Sequence, residues 1–126
     1  MSKENKETGS NASNRRYHKT FNGKLMMTYN NMDRRVRGYV NPEAYQGKEL
    51  LDRQEFYEWS KADVNYILLH KEWLEAGYSR KKSPSIDRID SKLGYTIDNI
   101  EWVTHSVNSS RGAISRWSNN QNISNG

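Results

Sequence analysis

A chain of 126 residues fits one domain, and with 33% hydrophobic residues and a mean hydropathy of −1.11 it can build only a thin core. The absence of cysteine excludes disulfides and thiolate zinc sites, and no apolar run approaches the ~18 residues of a membrane span; the expectation is a cytoplasmic protein with no membrane partner. A net charge of +5 and a pI of about 9.5 favour a polyanionic partner, nucleic acid first, because Lys and Arg neutralise phosphates and release counterions.

Residues 1–14 are polar and nearly free of apolar side chains, so they cannot offset their ordering entropy and are expected to be disordered. The tail 118–126 reads the same way. Charge is unevenly spread between them. Residues 15–53 hold nine Lys/Arg against four Asp/Glu, residues 54–80 are net acidic, and the excess of base resumes from Lys81. This marks 15–82 as a helical, basic, nucleic-acid-binding part.

Leu25, Tyr29, Met32 and Val36 fall at i, i+4, i+7 and i+11, which predicts a helix from Gly23 to Arg37 stopped by Gly38. Arg34, Arg35 and Arg37 crowd its last turn. They complement the helix dipole there and are candidates for phosphate contacts. Residues 41–47, with Pro42 and Gly47, read as a loop. Asp52 and Glu55 have capping-box spacing ahead of a helix from Arg53 to Lys61 that buries Phe56 and Trp59. Asp63 caps a third helix, Val64 to Ala76, ended by Gly77, with Val64, Ile67, Leu68 and Trp73 expected on its core face. His70 within it, and His18 upstream, read as structural. Arg80, Lys81 and Lys82 form a basic linker, and Lys81 and Lys82 join the candidate phosphate contacts.

The segment 83–117 has a different rhythm. Ser85–Ile89 alternates as a strand does, and Asp90–Gly94 is rich in turn residues. Ile100, Trp102 and Val103 form a second short strand, and Thr104 can cap a helix from His105 to Arg111. Strand, loop, strand and helix in so few residues cannot enclose a core, so the preceding helices and Trp117 must pack on them. Asp90 reads as a turn former, Asp98 as a local cap and Trp102 as core.

Within it stand Asp87-Arg88-Ile89-Asp90, Gly94-Tyr95, Asn99-Ile100-Glu101-Trp102-Val103-Thr104 and, later, Asn108. In order and spacing these resemble the HNH (ββα-metal) nucleases, especially the small phage and mobile-element type with DRID or DHID, a GY turn, N-x-x-W-x-T and a helical Asn. Upstream, Tyr29-Asn30-Asn31-Met32, Arg35, Gly38, Tyr45-Gln46-Gly47-Lys48, Glu55-Phe56 and Trp59 look alike too, so the resemblance spans about 25–111. It implies an α+β domain, a helical N-terminal part packed on a ββα-metal motif. The implied activity is metal-dependent hydrolysis, or nicking, of double-stranded DNA by a monomer or homodimer. One Mg²⁺ (or Mn²⁺) ion would be held by Asp87 and Asn108, with no structural zinc. Hard cations take oxygen ligands and keep waters, so a carboxylate and an amide oxygen suffice.

By the same resemblance Asn99 holds the loop and supports catalysis; Arg111 reads either as a contact to the nucleic-acid backbone or as a solvated side chain. The family's general-base histidine is replaced by Arg88, which cannot accept a proton near neutral pH. Three readings follow. Another group activates water, with His105 nearest in sequence; or Arg88 stabilises developing negative charge; or catalysis is lost and the protein only binds nucleic acid or a protein. RNA cleavage is a further alternative.

Overall fold

Thr20 begins the first long helix by accepting a hydrogen bond on its hydroxyl from the Gly23 amide (3.0 Å). In the computed structural model, which describes residues 15–110, helix α1 spans Phe21–Val36. Its apolar stripe goes inward as expected, with Leu25, Tyr29 and Met32 buried and Val36 packed beside them. Gly23 is enforced by space, because a Cβ there would collide with the Tyr17 carbonyl. Residues 15–19 are also helical. The expectations for 1–14, 118–126, Arg111 and Trp117 lie outside the described residues.

The loop expected at 41–47 contains a short helix, α2, Pro42–Tyr45. Proline at its first position has φ preset for helix and no N–H to satisfy, so one turn forms where composition suggested a loop. Helix α3, Arg53–Ala62, starts at Asp52, whose carboxylate accepts from the amides of Gln54 and Glu55. Helix α4, Val64–Glu75, starts at Asp63, which accepts from the Asn65 amide.

The inward face of α4 differs from the expected one. Val64, Ile67 and Leu68 are exposed, while Tyr66 and Trp73 are buried and Leu69 packs on the core. Apolar residues surround this helix, so periodicity alone does not choose a face. Aromatic contacts choose it: Tyr66 lies 4.4 Å from Trp102 and 4.8 Å from Phe21 between ring centroids, and its hydroxyl donates to the Phe21 carbonyl.

Strand β1, Pro84–Arg88, pairs antiparallel with β2, Ile100–Thr104, with Ile86 opposite Trp102 and Asp87 opposite Glu101. Helix α5 follows, helical over residues 105–110, and Thr104 caps it by accepting from the Val107 amide (3.2 Å). The architecture is thus α+β, helices with a small antiparallel sheet. One core joins both parts: Leu25, Tyr29, Phe56 and Tyr66 pack with Ile86, Tyr95, Ile100 and Trp102. Trp102 Nε1 donates to the buried Ser60 hydroxyl of α3 (3.0 Å), which fixes the sheet to the helices. Among the described residues, no helix is long and apolar enough to cross a membrane.

Candidate functional site

The connection between the strands is organised by a single amide. Asn99 is buried; its Nδ2 donates to the carbonyls of Asp90 (3.0 Å) and Gly94 (2.8 Å), and its Oδ1 accepts from the Asp90 amide (2.8 Å). These bonds close the loop on itself just beyond the end of β1. Asp90 shapes the turn, its carboxylate accepting from the Lys92 amide. Glycine is required at 94, where a Cβ would strike the backbone of Glu49. The neighbouring Tyr95 and Leu50 form a parallel bridge there, with Tyr95 donating to the Glu49 carbonyl and Leu51 to that of Tyr95.

Arg88 belongs to this braced end. Its guanidinium lies 4.3 Å from the centre of the Tyr45 ring and donates to the carbonyls of Leu93 (3.0 Å) and Ala44 (3.3 Å). Burial raises the Tyr95 phenol above its ordinary range, an effect opposed by the positive charges of Arg35 and Arg88.

Strand alternation separates Arg88 from its neighbour. Pro84, Ile86 and Arg88 share one face of β1, and Ser85 and Asp87 share the other. Helix α5 covers the second face. Asn108 Nδ2 donates to the Ser85 hydroxyl (2.9 Å) and to the Ile86 carbonyl (3.3 Å). With the nitrogen engaged, Oδ1 is the Asn108 atom that can serve a cation. Asp87 is half-buried, two residues or ~7 Å along the strand from Ser85. Glu101 stands opposite Asp87 on the same face. Sequence reasoning missed Glu101; its signal is the antiparallel register, which cannot be counted before the loop length is known.

The donors on this face are all hard oxygens: the Asp87 and Glu101 carboxylates and the Asn108 amide. They suit Mg²⁺ or Mn²⁺ with several waters and not zinc, which favours nitrogen and sulfur. Among the described residues, no group of three or more His, Cys, Asp or Glu side chains is arranged to hold a metal ion. An ion here would therefore rely on few protein ligands.

His105 stands elsewhere. Its amide donates to the Ser83 carbonyl (2.8 Å), at the opposite end of β1. Asp87 is four residue steps along the strand from Ser83, ~13 Å of backbone. His105 instead lines a polar cleft of about 170 Å³ between α1 and the start of β1. Lys24, Thr28, Asn31 and Arg35 form its α1 wall. They recur at i, i+4, i+7 and i+11, one position behind the apolar stripe, so the pattern that buries Leu25 and Tyr29 also aligns them. That offset polar stripe is the signal that could have revealed Lys24 and Asn31.

The candidate phosphate contacts divide. Arg34 is exposed, as are Lys81 and Lys82 on the turn Arg80–Lys82. Arg37 is ion-paired with Asp33 (3.0 Å). Arg35 turns inward over Tyr45 and into the cleft, so the arginines do not act as one surface cluster. Of the residues expected at the site, the structure brings Asp87 and Asn108 to one face, sets Asn99 behind the loop, turns Arg88 to the other face of β1, and places His105 one turn from Asn108 on α5, with its amide at the far end of β1 from Asp87. No family model, curated protein or solved structure matches the chain.

Proposed function

We propose that the protein is a metal-dependent DNA endonuclease of the ββα-metal type, hydrolysing phosphodiester bonds. The observation that carries the reading is the hydrogen bond from Asn108 to Ser85, which holds the α5 amide against the strand face bearing Asp87. Asp87 and the Asn108 oxygen, with Glu101 opposite, would hold one Mg²⁺ or Mn²⁺ ion. When bound, the ion supplies charge stabilisation to the scissile phosphate and the leaving oxygen. The chain's own residues do the positioning. Asn99 fixes the loop beyond Asp87, Arg88 holds the strand end against Ala44 and Tyr45, and the exposed Arg34, Lys81 and Lys82 attract duplex backbone. The Arg88 guanidinium donates to the Ala44 and Leu93 carbonyls, so it orients the strand end and does not act as a base.

A second reading, a nucleic-acid-binding module without cleavage, is favoured by one observation: His105 sits at the far end of β1 from Asp87. Relaxation of supercoiled plasmid in Mg²⁺ or Mn²⁺ separates the two. The endonuclease nicks it, EDTA stops the reaction, and Asp87→Ala lowers the rate more than about a hundredfold, beyond what loss of an outer-shell partner costs, while DNA binding persists. DNA binding with no nicking in either metal leaves the binding module as the correct reading.

A further inference from the structure

The cleft between α1 and β1 gathers basic side chains. Lys24, Arg35 and His105 line it together with Asn31, Ser83 and Ser85, and among the described residues no Asp or Glu lines it. Lys24 Nζ donates to the Ser83 hydroxyl (2.9 Å) and lies 5.0 Å from the centre of the Trp73 ring. Burial lowers its pKa, and burial is the sole cause. A desolvated ammonium held by a hydroxyl and a ring face gains most from an anion, since each charged group withdrawn from water is stabilised by an opposite charge.

The hydroxyls point the same way. Ser83 Oγ accepts from Lys24, and Ser85 Oγ accepts from Asn108. An oxygen that accepts from a neighbour keeps its own proton to donate. Residues carrying two hydroxyls, an ammonium, a guanidinium and the Asn31 amide therefore line one space of about 170 Å³. Several donors surrounding one centre match a tetrahedral oxyanion, whose oxygens each accept more than one hydrogen bond.

We infer that the cleft formed by Lys24, Asn31, Arg35, Ser83, Ser85 and His105 is a phosphate-binding site. Two sources share this chemistry, a nucleic-acid backbone phosphate and free inorganic phosphate. The inference goes beyond cleavage and holds whether or not the chain cuts DNA. Ser85 joins the site to the rest of the protein: one hydroxyl faces the cleft and accepts from Asn108, so a phosphate in the cleft lies beside the strand face that carries Asp87.

The test is titration of the full chain with inorganic phosphate, followed by ¹H–¹⁵N NMR. Saturable shifts are expected at Lys24, Asn31, Ser83, Ser85 and His105. Lys24→Met and Arg35→Met should each weaken binding about tenfold or more, as loss of a charge-assisted hydrogen bond does. Methionine keeps the Lys24 stem packed on Trp73, and circular dichroism reports whether each variant folds. Lys71→Met, which removes an exposed charge on α4, should change nothing; Asp87→Ala should keep the shifts, which separates failure of this inference from failure of the cleavage reading. The second arm measures affinity for a short DNA duplex against salt. A shallower slope in Lys24→Met, by about 0.9, assigns the site to a backbone phosphate. Phosphate binding with an unchanged slope assigns it to free phosphate. Shifts spread over exposed lysines, or unaltered by both cleft variants with no change in the salt slope, overturn the inference.

Discussion

The two ends of β1 carry arginine and lysine to opposite purposes. At the loop end, the cations cap carbonyls of their own chain: Arg88 holds Leu93 and Ala44, and Lys48 holds Ser91 and Lys92. At the cleft end, Lys24 has the Ser83 hydroxyl and the Trp73 ring, and Arg35 and His105 share its space. A positive side chain whose donors are already matched braces structure; one that shares a polar cleft with other cations is prepared for an anion. The position that a motif would mark as chemical, Arg88, is the braced one. A position outside every motif, Lys24, lies in the cleft.

Asn99→Ala should break the contrast most strongly. It leaves the Asp90 amide and the Asp90 and Gly94 carbonyls without their partner, and unfolding in urea should show a loss of about 3 kcal/mol. The NMR shifts on phosphate addition should survive at the cleft in the folded fraction. If stability is unchanged, the loop does not depend on this amide and the account of the braced end is wrong.

Arg88→Ala sharpens the comparison. Removing a guanidinium that stacks on Tyr45 and holds two carbonyls should cost about 2 kcal/mol of stability by the same urea measurement. The salt slope of DNA binding should stay as in the wild type. A slope shallower by about one phosphate contact in Arg88→Ala would make this arginine a phosphate ligand and remove the distinction between the ends.

The smallest effect tests whether both ends rest on one core. Burial raises the Tyr66 phenol above its ordinary 10.0, and its hydroxyl donates to the Phe21 carbonyl. The unfolded chain loses this proton near pH 10 while the folded chain keeps it. The contribution is therefore full below pH 10 and declines as pH rises through the higher folded value. Thermal melting should fall above pH 10, and Tyr66→Phe should remove Tyr66's share of that fall, at a cost of about 1 kcal/mol at neutral pH. Amides at Asn99 and at Ser85 should lose dispersion together as the wild type melts. Loss at one end alone would mean that the ends fold separately.

Local chemistry determined much of this protein from sequence alone. Asp52 and Asp63 start their helices because a carboxylate in the right place meets free amides one turn on. The α1 stripe and each strand and helix of the 83–117 segment were legible for the same reason, since each element is read from residues within about a dozen positions of one another; the loop-holding role of Asn99 was implied by the resemblance alone. Tertiary structure decided what depends on distant partners. The inward face of α4 was set by Phe21 and Trp102, since its own apolar residues allow several faces. The role of Arg88 was set by Tyr45 and Ala44, and the short helix that carries them was itself read as a loop. The cleft required Lys24 to meet Ser83 across 59 residues. No periodicity encodes that meeting, because it arises only when the helix and strand pack on a common core.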